Sequence, residues 1–285
     1  MNRYKASATH LAISATVIAL FFAIVFFVWY PVPYFSIEGT YDVIVILIAV
    51  DLVLGPLLTL IVFKSGKPGL KTDLSIIAFI QIAALLYGAN TIYSERPYFV
   101  AFAFNKFVIV QATDTKKMDL SKIDSSVHYQ HLGPSYVYAE SPADNKLRNK
   151  ILDQVLSGGF DIDRIPSQYR DFKTHIKNSF DRSLSLDTLS TQLPGNKAVI
   201  DRFLKRYPGT EHLAFYPLSG KHRDVVLVLD KNSLEIIDYI DVDPWKKTKT
   251  PAPNVPNIKD QFNLDLDNIN KGAAPIPGLP GAPNL

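Results

Sequence analysis

VIVILIAVDLVLGPLLTLIVF, residues 43–63, carries a single charge, Asp51. A helix needs roughly 20 apolar residues to cross a hydrocarbon core about 30 Å thick. This stretch supplies them. Working outward, Leu11 to Tyr30 has no charge, and neither has Leu74 to Tyr93, which includes Gln81 and Asn90. Three membrane-spanning helices are therefore predicted. Buried core helices of a soluble protein would need amphipathic partners of similar length, which the chain lacks. The first segment is also too long for a cleaved signal peptide, and Trp29-Tyr30-Pro31 is no small-residue cleavage site.

Lysine and arginine in short loops favour the cytoplasm. Arg3 and Lys5 precede the first span, the loop from Pro31 to Asp42 has neither residue type, and the turn from Lys64 to Asp73 holds Lys64, Lys67 and Lys71. The expected course is in, out, in, out, with the amino terminus cytoplasmic and everything after Tyr93 on the far side. Trp29, Tyr30, Tyr34, Tyr41 and Tyr93 then form an aromatic belt at the outer boundary.

The distal part has a different composition. Residues 94–285 hold 25 Lys/Arg against 23 Asp/Glu, mixed in sign, so the net charge of +3 says little and nucleic acid is not an expected partner. The absence of cysteine excludes disulfides and thiolate chemistry. Tyr98 to Phe104 and Phe107 to Ala112 read as a hairpin, followed by helices from Ser141-Pro142-Ala143-Asp144 to Gly158-Gly159, from Pro166 to Phe180, and from Asn196 to Arg206. Strands over His212 to Leu218, Asp224 to Asp230 and Leu234 to Val242 suggest an antiparallel meander. The expectation is an α+β domain, an antiparallel sheet with helices on one face. From Pro244 the final 42 residues hold eight prolines and few apolar residues, as a disordered tail would. The division is thus 1–93 membrane region, 94–245 folded domain, 246–285 tail.

Asp51 is costly inside a membrane unless paired or neutral. At 100° per residue, Asp51, Gly55 and Thr59 fall within an arc of about 80°, beside Pro56, and Gln81, Ala84 and Gly88 make a matching stripe on the third span. These seven residues are candidates for helix–helix contact, either with each other or with a partner helix.

Enzymatic motifs are missing: there is no GxGxxG, P-loop, GxSxG or HExxH pattern, and no cofactor or metal site is expected. His128 and His131 sit in a Ser/Gly/Pro-containing segment unsuited to a helical metal pair, and Asn263 to Asn268 lacks the key residues of a calcium loop. The acids Asp230, Glu235, Asp238, Asp241 and Asp243 read as a solvated face, not as a catalytic pair.

The opening Met1-Asn2-Arg3-Tyr4-Lys5-Ala6-Ser7-Ala8 with His10-Leu11, the exit Phe27-Val28-Trp29-Tyr30-Pro31, and Val50-Asp51-Leu52-Val53-Leu54-Gly55-Pro56-Leu57-Leu58-Thr59-Leu60 resemble the type IV pilin accessory proteins of the TfpX/TfpZ family. The likeness continues through Lys71-Thr72-Asp73-Leu74-Ser75, Gln81 to Gly88 and Arg96-Pro97, and returns at Phe215-Tyr216-Pro217-Leu218 and Asp243-Pro244-Trp245. It covers residues 1–111 well and 212–245 in outline. The resemblance implies a bacterial inner-membrane protein with a periplasmic domain, a non-enzymatic accessory factor or chaperone for a major type IV pilin. It would support pilin stability and pilus assembly, touching the pilin's transmembrane helix and head, with membrane lipid and other pilus assembly components nearby. A membrane-anchored ligand-binding sensor and a periplasmic enzyme are the alternatives.

Overall fold

The computed structural model describes residues 2–192 and 195–245, which belong to one compact unit; the expected tail over 246–285 lies outside the described residues. Three long helices open the chain: α1 (Arg3–Trp29), α2 (Tyr41–Val62) and α3 (Leu70–Ser94), each long and apolar enough to cross a membrane. α1 starts well before its apolar run because Asn2 caps it, its side-chain oxygen accepting from the Lys5 backbone N–H at 2.9 Å. In α2, Pro56 lacks the N–H that would bond the carbonyl four residues back. The preceding Ala49–Leu54 widens into a π-helical turn, and the Gly55 N–H reaches the Val50 carbonyl, five residues back. Leu20, Phe79 and Leu86 stay on the outside of the bundle, as lipid-facing side chains do.

A seven-stranded sheet follows, built from β1 (Pro97–Ala103), β2 (Lys106–Gln111), β3 (Ser135–Ala139), β4 (Tyr169–Asp171), β5 (Leu213–Ser219), β6 (Asp224–Asp230) and β7 (Glu235–Ile240). Its order is β4-β3-β1-β2-β5-β6-β7. The β1–β2 hairpin and the β5–β6–β7 meander are antiparallel as expected. The sheet as a whole is mixed: β3 joins β1 in parallel, and β2 meets β5 in parallel at Phe107↔Leu218 and Val108↔Ser219.

Helices α4 (Asn145–Leu156), α5 (Leu186–Gln192) and α6 (Asn196–Arg206) complete the domain. The start of α4 differs from the Pro-first reading because Asp144 is the better cap, its side chain accepting from the Lys146 N–H at 2.9 Å. Gly158 ends α4 at φ +81°, with Gly158 and Gly159 donating back to Val155 and Gln154. The expected helix from Pro166 to Phe180 is not one helix. Tyr169 is buried on edge strand β4, and Asp171 then caps a new start at Phe172 by accepting from the Thr174 N–H at 2.8 Å.

Both faces of the sheet are covered, where one was expected. β1 is buried at every position, so its sequence shows no alternation. One face packs Phe215, Val226 and Val228 against Leu189 of α5 and Ile200 and Phe203 of α6. The other face carries Val100, Phe102, Ile109, Tyr216 and Leu227, in a cluster that runs on without a break into Tyr30, Tyr34, Ile37, Leu47 and Ile92 of the membrane region.

Candidate functional site

Within the membrane region the polar residues converge on α2. Asp51 is 5% exposed, and its partner is Gln81 of α3, whose amide Nε2 donates to the Asp51 carbonyl at 3.3 Å and to its carboxylate at 3.4 Å. Gly55 permits this approach: a Cβ built on it would lie 2.1 Å from Gln81 Nε2. Gly88 does the same for Leu47, whose Cδ2 would lie 2.7 Å from an added Cβ. Of the seven sequence candidates, Asp51, Gly55, Pro56, Thr59, Gln81 and Gly88 are buried and Ala84 is half-buried. The two predicted stripes face each other.

A third stripe escaped the sequence reading. Ser7, His10 and Ser14 share one face of α1 by their three- and four-residue spacing, a signal that was available. The Ser7 hydroxyl donates to the Pro56 carbonyl at 2.8 Å, His10 Nδ1 shares a 2.5 Å hydrogen bond with the Thr59 hydroxyl, and Ser14 lies beside Asp51. Between α1 and α3 lies a cleft of about 230 Å³, walled by Ile13, Val17 and Ile82, with His10, Ser14, Asp51 and Gln81 as its polar lining. A carboxylate whose side-chain donor is one long amide contact retains acceptor capacity in a medium without water.

A second polar site is the seam between the membrane region and the domain. The loop after α1 folds into the short helix Tyr34–Glu38 and presses on the β5–β6 turn. The His222 N–H donates to the Ile37 carbonyl at 3.0 Å, the Lys221 N–H to Glu38 Oε1 at 3.2 Å, and Arg223 to the Ser36 hydroxyl at 2.8 Å. Gln111 of β2 donates to Glu38 Oε2 at 2.7 Å, and Lys221 Nζ pairs with Glu95 at 3.0 Å. Gly39, at φ +74°, lets the loop turn beneath His222. The Tyr34 and Tyr136 hydroxyls meet at 2.6 Å.

Electrostatics at the seam follow from burial. Desolvation raises the Glu38 carboxyl above the usual range, opposed by its bonds from Gln111 and Lys221, and pushes the Tyr136 phenol up to about 12. Neither the loop helix nor its basic counterpart, Lys221-His222-Arg223, was singled out from sequence. Nothing local distinguishes them, since the contact joins residues far apart in the chain.

Elsewhere in the domain several charged pairs lie near solvent. Arg206 meets Asp238 at 2.7 Å, Lys173 meets Glu235 at 2.9 Å, and Arg223 meets Asp241 at 2.5 Å. His131 Nδ1 bonds the Tyr98 hydroxyl at 2.8 Å, while His128 stays with the Ser126 carbonyl of its own loop.

Comparison with known proteins finds fimbrial assembly proteins. The family model described as fimbrial assembly protein FimB matches residues 1–39. The fimbrial assembly protein of Dichelobacter nodosus serogroups C1 and C2 is 40% identical over 113 residues, covering 39% of this chain and 86% of that one. Those of serogroups I and E1 from the same organism are 27% and 26% identical over 249 residues, covering 85% of this chain and 96% of theirs. No solved structure matches. By its likeness to these proteins, this chain belongs to the FimB family of fimbrial assembly proteins, with a role in fimbrial assembly.

Proposed function

We propose that this protein is a non-enzymatic accessory factor for a major type IV fimbrial subunit, of the kind seen in the TfpX/TfpZ proteins, and that the cleft between α1 and α3 is where the subunit's membrane helix docks. Its amino terminus is cytoplasmic and its domain periplasmic in the bacterial inner membrane, in keeping with Arg3, Lys5, Lys64, Lys67 and Lys71 on one side of the spans and no Lys or Arg between Pro31 and Asp42 on the other. The domain then stands where the subunit's head emerges, and other assembly components have access to it.

One observation carries the reading: Asp51, with His10 and Gln81, lines a cleft between two membrane-length helices whose walls, Ile13 and Ile82, are exposed. Gly55, Pro56, Thr59 and Gly88 hold the chain's own helices together, so the surface offered to a partner is this cleft and not the whole stripe. A helix bearing a protonated amine or hydroxyl suits it, because a carboxylate with acceptor capacity left over beyond its Gln81 contact favours, in lipid, a helix that brings a donor over a purely apolar one.

Photo-crosslinking side chains placed at Ile13 and Ile82, both exposed on the cleft walls, test this in living cells. The expected product is an adduct with the major fimbrial subunit, reduced severalfold by Asp51→Asn. Adducts with lipid alone, together with full surface fimbriation in Asp51→Asn, would overturn the proposal.

A further inference from the structure

At the outer end of α1 a crevice of about 350 Å³ separates the last helical turn from the loop Gln130–Pro134 of the domain, with Phe27, Val32 and Leu132 on its rim. All three are exposed, Phe27 at 82%, Val32 at 76% and Leu132 at 57%. Phe27 belongs to a membrane-crossing helix, so its surroundings on that side are lipid. Leu132 belongs to a domain that is otherwise soluble. An apolar side chain at the tip of a solvated loop is unremarkable by itself.

The height of this loop is what matters. It is pinned to two membrane helices at once. Gly133 passes so close to α1 that a Cβ on it would lie 3.0 Å from the Val28 carbonyl. Arg96, just after α3, donates to the Tyr93 carbonyl at 2.6 Å and to the His131 carbonyl at 2.9 Å, while its guanidinium lies 3.7 Å over the Tyr93 ring. Tyr98 adds a 2.8 Å bond to His131 Nδ1. Val28 and Tyr93 lie in the final turns of the two helices, so Leu132 is held level with the outer boundary of the spans. The segment His128 to Tyr136 carries no acidic residue and is rich in His and Tyr, the side chains that tolerate a headgroup layer.

We propose that the loop from Tyr129 to Pro134 is a membrane-seating element, in which Leu132, together with Phe27 and Val32, enters the outer lipid interface and holds the domain at a fixed height above the bilayer. The occupant of this surface is lipid: Phe27 and Val32 of the rim follow the exposed Leu20 and Ile24 along the apolar α1 and just past its end, and Leu132 stands across the crevice from them. The inference rests on the membrane topology and not on the identity of any fimbrial partner.

The chain has no cysteine, so single labelling sites can be introduced without other changes. Full-length Leu132→Cys, carrying a nitroxide, is reconstituted in vesicles of phosphatidylethanolamine and phosphatidylglycerol and its collision rates with oxygen and with a water-soluble nickel complex are measured. Phe27→Cys serves as the lipid reference, and Phe104→Cys, at the exposed β1–β2 turn, as the aqueous reference. Because Leu132 makes a largely exposed rim, its replacement leaves folding intact, and Val32→Cys repeats the measurement on the other side of the crevice. The expected result is an oxygen-to-nickel ratio at both positions severalfold above that at Phe104→Cys and close to that at Phe27→Cys. A ratio at Leu132→Cys equal to that at Phe104→Cys overturns the proposal, and so does protection from both reagents, which would mean that protein covers the loop.

Discussion

Replacing Gly55 by alanine tests how closely α2 and α3 are joined. The new Cβ would sit 2.1 Å from Gln81 Nε2 and 2.6 Å from its Cδ, far inside contact distance, so the amide must leave. It can turn into the neighbouring cleft, which it lines. What is lost is its pair of bonds to Asp51, at 3.3 and 3.4 Å. Interhelical hydrogen bonds in membranes are worth about 0.6 kcal/mol on average and at most about 1.7, and an off-rotamer side chain adds roughly 0.5–1.5 kcal/mol. Against this, alanine is about 1 kcal/mol better than glycine inside a helix. The single substitution should therefore destabilise by only about 0–2 kcal/mol, too small a margin to interpret alone. The double-mutant cycle with Gln81→Ala is cleaner. With the amide gone, Gly55→Ala has nothing to collide with and should be neutral or stabilising, which leaves a coupling of about 1–3 kcal/mol. Reversible unfolding in bicelles, followed by helicity or steric trapping, measures all four corners. A coupling within about 0.5 kcal/mol of zero would refute the account of Gly55 as a seat for the Gln81 amide.

Four further outcomes follow from the seam and the domain surface. Gly39→Ala should destabilise by about 1–2 kcal/mol, the usual cost of a left-handed φ for a residue with a side chain. His222→Ala should not restore that loss in thermal unfolding, because the exposed ring can swing away and the strain is in the backbone. Burial raises the folded-state pKa of Glu38 above its unfolded value, so the folded form binds the proton more tightly and stability falls as pH rises through the folded pKa. Acidification from neutral pH toward the ordinary carboxylate pKa should accordingly strengthen protection of the Lys221 and His222 amides in hydrogen exchange, and Glu38→Gln should flatten that dependence. Tyr34→Phe and Tyr136→Phe should each cost about 1 kcal/mol, and the double variant no more than about the same, since both lose one shared hydroxyl bond at 2.6 Å. His212→Ala, Asp230→Ala and Asp241→Ala should leave surface fimbriation unchanged when counted by electron microscopy, because these side chains engage one another and Arg223 near solvent.

The sequence carried the membrane region plainly, because apolar runs of spanning length have few other uses. Local signals also placed β6 from Asp224 to Asp230 and α6 from Asn196 to Arg206 at their observed bounds, where a continuous apolar run or a polar–apolar helical pattern coincided with turn residues at both ends. The middle of the domain was harder. β3, Ser-Tyr-Val-Tyr-Ala, does carry a strand-like alternation that the sequence reading passed over, but its parallel partner β1 lies more than thirty residues away, and β4 is only three residues long, too short for a local signature. In the candidate site, Asp51 and Gln81 were legible as costly polar groups in lipid. Their contact with each other was not, because the same small-residue stripe serves self-packing and partner binding equally well. The seam was invisible for a related reason: Ile37 and Glu38 meet Lys221 and His222 across more than 180 residues of chain, with no local pattern to announce the contact.

The unbroken cluster that joins Tyr34, Ile37 and Leu47 to Phe102, Ile109, Tyr216 and Leu227 has a practical consequence. A fragment beginning at Glu95 would keep every strand of the sheet and still lose Tyr30, Tyr34, Ile37, Leu47 and Ile92 from the cluster that covers one face. Apolar side chains packed on them would meet water, the kind of surface that drives aggregation. For handling and for design, the membrane helices are part of the domain's interior, and detergent or lipid is as much a folding requirement for the sheet as for the spans.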